Sequence, residues 1–217
     1  ASIAFHSRVT FEQVYTEGIT NIHATDSRYA KEMGKAIKLL GVACNTPEGI
    51  EVRVHPMLIP DSHPLATVND AFNAVFVHGD ALDDAMFMGR GAGEMPTASA
   101  VTGDIIDTAR NLLMGCTGRI GCTCYKELPV KAIDDIKSKY FIRLRVEDRP
   151  GVLAGVSGVL GNNGVSISQV IQKASKGGSS DLVVITDTVR ERHIRDALTI
   201  LRSMSMVRDI ASVIRVY

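Results

Sequence analysis

Two glycine-containing turns and one group of cysteines are the places where residue type and spacing could do chemistry. The first turn is Gly89-Arg90-Gly91-Ala92-Gly93-Glu94, after a strand-like run and before a helix-like one. Glycines free the backbone there, and exposed N–H groups at a helix start suit a phosphate or carboxylate. The pattern nearly matches a dinucleotide fingerprint, but Glu94 stands where a third glycine is required. A βαβ unit and an acidic residue about 20 positions on are also missing. Three readings stay open: a fingerprint, a tight turn, or a turn that meets a cofactor held by another domain. The second turn is Asp148-Arg149-Pro150-Gly151-Val152. Pro150 suits a first helical turn, and Asp148 favours the positive helix end.

The other reactive side chains form no comparable pattern. Cys116, Cys122 and Cys124 are separated by five and one intervening residues, unlike paired Cys-x2-Cys zinc ligands. With Cys44 they are expected to be free thiols of a reduced protein. The histidines (His6, His23, His55, His63, His78 and His193) show no i, i+4 metal spacing, so no metal is expected. Lys31, Lys35 and Lys38 are expected on the polar side of a helix.

The elements that must position these turns are legible as periodicities. Asp26 is a candidate N-cap for a helix carrying Ala30, Met33, Ile37 and Leu40, ended by Gly41. Leu39 to Cys44 and Ile50 to Ile59 flank the turn-like Asn45 to Gly49 and read as a hairpin. Pro56, Pro60 and Pro64 predict an irregular or edge-like stretch. Strands at Ala74 to His78 and Ala85 to Met88 join near Gly79-Asp80. A helix beginning near Pro96 carries the stripe Ala98, Val101, Ile105, Ala109 and Leu112. Residues 116–138 have no clear period and read as a linker.

From about Lys139 the pattern is regular. Tyr140, Ile142, Leu144 and Val146 alternate with Phe141, Arg143, Arg145 and Glu147, which predicts a strand with one buried face. A stripe from Val152 to Leu160 predicts a helix, stopped by Gly161-Asn162-Asn163-Gly164. A strand with Val165 and Ile167, a Gly/Ser loop from Lys173 to Ser180, and a buried strand from Leu182 to Ile185 follow. Thr188 and Glu191 read as a capping box before Ile194, Ala197, Leu198 and Leu201, and a last strand spans about Ile210 to Val216. The order βαββαβ predicts a ferredoxin-like sheet with both helices on one face. The fold class is therefore α+β: a mainly antiparallel sheet with helices on one side, then the βαββαβ segment.

Composition removes several classes of partner. Hydrophobic residues make up 45% and charged residues 22% of 217, and 24 basic residues balance 24 acidic ones. No charge excess draws the chain to nucleic acid or an anionic membrane, and no apolar run approaches the roughly 20 residues of a membrane span. A cytoplasmic location is expected. The opening Ala1-Ser2-Ile3-Ala4-Phe5, without Met, reads as the tail of an apolar helix and suggests a processed or cut chain.

The runs VTFEQVYTEGI, RVHPMLIPDSHPLATVNDAFNAVFVHGD and GRGAGEMPTASAVTGDI resemble the substrate and dimerisation domain of homoserine dehydrogenases over residues 1–115. VEDRPGVLAGVSGVLGNNGVSISQV resembles an ACT domain, the amino-acid-sensing module, over residues 139–217, after the linker 116–138. The resemblance implies a C-terminal fragment of an NAD(P)-dependent enzyme that interconverts L-homoserine and L-aspartate 4-semialdehyde. It places Gly89, Gly91 and Gly93 beside the nicotinamide cofactor. It carries no catalytic residue onto this chain, because the family's lysine and acidic partners lie upstream. Glu17, in the YTEGI element, is read as structural. No cofactor is expected on the fragment, which is expected to be inactive alone. It further implies an amino-acid effector, threonine by expectation, held by Asp148, Pro150, Gly151 and Val152 with Asn162 and Asn163 across from them, and a homodimer or higher homo-oligomer. The same turn residues could serve as helix caps only. The alternative is a free-standing amino-acid-binding or dimerisation module without a catalytic role.

Overall fold

A computed structural model describes residues 1–116, 118–119, 121–174 and 179–217. In chain order its elements are α1 (Ser2–Phe5), β1 (Tyr15–Thr16), α2 (Ala24–Glu32), β2 (Lys35–Thr46), β3 (Gly49–Pro60), β4 (Phe72–Gly79), β5 (Asp83–Arg90) and α3 (Glu94–Leu113). There follow β6 (Lys137–Glu147), α4 (Val152–Asn162), β7 (Ile167–Ala174), β8 (Ser179–Thr186), β9 (Val189–Arg190), α5 (Glu191–Ser203) and β10 (Val207–Val216). Residues 175–178 of the Gly/Ser loop expected at 173–180 lie outside the described residues. The chain divides into two compact units, residues 1–60 with 124–217, and residues 61–123.

In the first unit, β10, β6, β8 and β7 lie side by side in that order, all antiparallel. That is the βαββαβ sheet, and α4 and α5 cover one of its faces. Val152, Val156 and Leu160 of α4 and Ile194, Ala197 and Leu201 of α5 pack onto Tyr140, Ile142, Leu144 and Val146. Each fully buried aliphatic side chain of this set contributes roughly 1.5–3 kcal/mol of transfer free energy.

The opposite face is also buried, which corrects the one-sided reading of β6. Phe141, Val183 and Ile214 pack against Tyr29 and Ala30 of α2, and Arg143 is only 2% exposed. The sheet continues past β10: β3 pairs with it in parallel, Arg215 opposite Met57 and Val216 opposite Leu58. On the same edge of β3, β1 pairs in parallel at Arg53 and Val54, and on the other edge β2 pairs antiparallel along its whole length. Residues 1–60 and the ferredoxin-like segment therefore share one sheet and one two-sided core.

Several local expectations change for identifiable reasons. The helix from Asp26 does not reach Gly41: α2 ends at Glu32, and Gly34 (φ 65°) turns the chain, so Ile37, Leu40, Lys35 and Lys38 lie on β2. Asp26 is not the N-cap but the third residue of α2, whose cap position is His23; its carboxylate accepts from the His23 backbone N–H at 2.8 Å. Pro56 sits within β3. Its neighbours Val54 and Leu58 direct their carbonyls to the N–H groups of Glu17 and Tyr217, so the nitrogen of Pro56 faces the gap between β1 and β10, where no ladder donor is needed. The capping box at Thr188 and Glu191 is replaced by a cap at Arg190, and Glu191 turns to ion pairing. Residues 124–138 of the expected linker are ordered against residues 1–60, with bridges Ser7–Lys126 and Ile50–Val130 and a 3-10 turn at Ile133–Asp135.

The second unit contains a β4–β5 hairpin, Phe72 opposite Arg90 through Gly79 opposite Asp83, and the helix α3. Pro96 falls in the first turn of α3, as expected. No residue of that helix is buried, and Val101, Ile105 and Leu112 of its apolar stripe are exposed.

Candidate functional site

The turn after β6 is built by strand pairing on one side and a glycine on the other. Glu147 closes the strand, its N–H bonded to the carbonyl of Met206 at 3.0 Å. Gly151 then takes φ 89° as the residue before α4. A side chain is strained at that φ, although nothing within 4 Å would obstruct it. No side chain caps α4, and its first intrahelical bond is Gly155 N–H to the Gly151 carbonyl. The N–H groups of Val152, Leu153 and Ala154 thus form an open donor set at the positive end of an 11-residue helix. Asp148, Pro150 and Gly151 are exposed around it, while the Val152 side chain is buried in the core and anchors the turn.

Asn162 and Asn163 are not brought to this turn. They stand at the other end of α4, about 16 Å away at 1.5 Å per residue. The Asn163 amide donates to the Val159 carbonyl at 2.8 Å, and Gly164 takes φ 71°, so this segment stops the helix. Within one chain, only Asp148, Pro150, Gly151 and Val152 share a site.

The three glycines of the other turn serve different ends. Gly89 pairs with Asn73 in the hairpin. Gly91 donates to the Ala71 carbonyl at 2.8 Å, and a Cβ on it would lie 1.5 Å from the Asn73 amide nitrogen. Gly93 (φ 128°) precedes α3. With residues Glu94, Thr97 and Val101 the last two line an open groove. β5 belongs to an antiparallel pair, not a βαβ unit, and the Glu94 carboxylate opposes phosphate at the helix start. The arrangement is not a dinucleotide fingerprint. Its backbone lies along an open groove rather than an enclosing pocket.

The alternating pattern also hid two buried ion-pair networks. Asp26, fully buried, accepts from Arg143 Nε at 2.7 Å and from the Ser212 hydroxyl at 2.6 Å. Burial alone would raise its pKa, but the bonds from Arg143, Ser212 and the His23 N–H outweigh it and hold the carboxyl below its ordinary value. Arg215 donates to Glu17 at 2.8 Å and to Glu191 at 2.7 Å, and the Tyr140 hydroxyl also bonds Glu191. Burial, then the Glu191 charge, pushes the Tyr140 pKa up. Glu17 thus ties the Tyr15-to-Ile19 stretch to the last strand. The sequence signal for these networks was weak: β6 carries Arg143 and Arg145 and β10 carries Arg208 and Arg215, and only Arg143 and Arg215 are buried. Among the described residues, no group of three or more His, Cys, Asp or Glu side chains could hold a metal.

A strand–helix turn with open amides on a four-stranded βαββαβ sheet defines an ACT-type regulatory domain, and residues 140–204 match the ACT domain family model. Residues 1–106 match the model described as homoserine dehydrogenase, so the chain carries that domain together with the ACT domain. It is 42% identical over 221 aligned residues to a homoserine dehydrogenase of Corynebacterium glutamicum, covering 99% of this chain and 49% of the relative. A homoserine dehydrogenase of Mycobacterium leprae is 41% identical, with 99% and 51% covered. A crystal structure of a homoserine dehydrogenase from Thiobacillus denitrificans superposes with a TM-score of 0.88 at 36% identity, over 100% of this chain and 50% of that one. The chain spans about half the length of the curated relatives it matches.

Proposed function

We propose that this chain is the C-terminal half of a homoserine dehydrogenase that interconverts L-homoserine and L-aspartate 4-semialdehyde in the threonine and methionine branch of amino-acid biosynthesis. In the complete enzyme NAD(P) carries the hydride. This half contributes the Gly89, Gly91 and Gly93 turn to the rim of the cofactor site, and the exposed stripe of α3 meets the nucleotide domain. The proton-transfer lysine is supplied from outside these 217 residues, so the chain alone is inactive.

Its own activity is sensing. The α-carboxylate of an amino acid, threonine by pathway logic, accepts from the amides of Val152 to Ala154, with Gly151 leaving the approach clear and Asp148 placed for the ammonium. Asn162 and Asn163 complete the site only from a second chain, which is consistent with a cytoplasmic homo-oligomer. The carrying observation is the uncapped α4 N-terminus at a positive-φ glycine, in a sheet shared with the homoserine dehydrogenase segment.

Calorimetric titration with threonine, with serine and homoserine as controls, tests the reading. Selective saturable heat that disappears in a folded Gly151→Leu variant supports it. Heat that persists unchanged in that variant, or none with any amino acid, contradicts it.

A further inference from the structure

A hollow of about 360 Å³ lies on the sheet face not covered by α4 and α5, beneath the α2–β2 turn. Its floor is apolar and crosses the sheet: Val216 of β10, Ile185 of β8 and Ile171 of β7. Its polar edge comes from the turn and the outer strand, with Glu32, Lys35 and Gln169. Such a volume is at the small end of ligand pockets.

The state of the polar groups decides what fits. Lys173 Nζ lies 2.5 Å from Glu32, so that carboxylate is already neutralised. Lys35 and Gln169 have no side-chain hydrogen bond or ion pair among the described residues. An ammonium without counter-ion and an amide without partner therefore stand over a greasy floor. A compact anion with an aliphatic body satisfies all three features, since a carboxylate bonded to Lys35 is a charge-assisted interaction and the body excludes water from the floor.

We infer that this hollow binds a small aliphatic monocarboxylate, its carboxylate on Lys35 and Gln169 and its hydrocarbon on Ile171, Ile185 and Val216. The site is separate from the turn at Gly151. Ile185 pairs with Phe141 and Val216 with Lys139, six or more residues back along β6 from the strand's end at Glu147, roughly 20 Å at 3.3 Å per residue. It does not depend on the threonine reading.

The test is methyl NMR of the whole chain titrated with 4-methylpentanoate and, separately, leucine. Saturable shifts at the methyls of Ile171, Ile185 and Val216 are expected, undiminished in Gly151→Leu. Lys35→Gln should weaken binding about tenfold, the loss of roughly one charge-assisted bond, while leaving methyls elsewhere in place. Tighter binding of leucine would assign the ligand to the amino acids; equal or weaker binding would assign it to simple carboxylates. Shifts centred on Val152 and Leu153, equal affinity in Lys35→Gln, no shift at millimolar ligand, or shifts that follow protein concentration without ligand would each overturn the inference.

Discussion

Residues 1–60 with 124–217 bury apolar side chains on both faces of one sheet, whereas none of the described side chains of residues 61–123 is buried. In the first unit even charges are enclosed: Asp26 is 0% and Arg143 2% exposed. In the second, Phe87, Ile105 and Leu112 are all more than 60% exposed. Large exposed apolar patches mark surfaces that are covered by another protein surface, while an enclosed ion pair marks a core whose geometry is complete. The difference separates a unit with an enclosed core from one whose apolar surface is exposed. It also shows that the packing boundary does not follow the family boundary, because β3 and α2 belong to the homoserine dehydrogenase match and pack on the ACT sheet.

The largest expected effect breaks the enclosed pair. Arg143→Ala leaves Asp26 buried without its counter-ion and should cost about 3–5 kcal/mol in urea unfolding. Asp26→Asn with Arg143→Met should cost clearly less than the sum of the single changes, and additivity would show that the pair is not coupled.

Next comes acid. His55 is fully buried, its Nδ1 3.0 Å from the Pro56 carbonyl and its Nε2 accepting from Arg53 at 3.2 Å. Burial lowers its pKa from 6.5 to about 4; the Pro56 carbonyl opposes this, and the charges of Arg215 and Arg53 reinforce it. Between those values the unfolded chain binds a proton that the folded chain refuses. Stability is full above pH 6.5 and falls as the pH drops toward 4, by about 3 kcal/mol for this group. Asp26, held below its ordinary value, adds a loss in the same direction at lower pH. His55→Gln should flatten the slope between pH 6.5 and 4; an unchanged slope would refute this assignment.

Smaller effects belong to the second unit. Gly91→Ala pushes a methyl into the Asn73 amide and should cost about 1 kcal/mol, relieved by Asn73→Ala. Smallest of all, Leu112→Gln should change the stability of this chain by no more than about 0.5 kcal/mol, since its side chain is not in a core. A larger loss would mean that α3 is packed in solution.

Much of the second unit and the βαββαβ segment was legible, because strict alternation marks a strand and a 3.6-residue stripe marks a helix whichever faces are later covered. The hairpin Leu39–Cys44 and Ile50–Ile59 and the turn at Gly151 were read for the same reason. What escaped depends on long-range packing. Ile37 and Leu40 continue a helical spacing by coincidence, and only the positive φ of Gly34 breaks it. Arg143 occupies the solvent phase of a period-two pattern, and its burial comes from α2, more than a hundred residues earlier. Asn162 and Asn163 are close to Gly151 in sequence, but an intervening helix keeps them apart.

Native-state hydrogen exchange tests most directly whether residues 1–60 and the ACT sheet form one cooperative unit. Amides of β3, β6 and β10 should open with the same free energy and fall together in Arg143→Ala, while β4 and β5 exchange independently. A β2–β3 hairpin that opens at lower free energy than β6, and is indifferent to Arg143→Ala, would contradict the shared core.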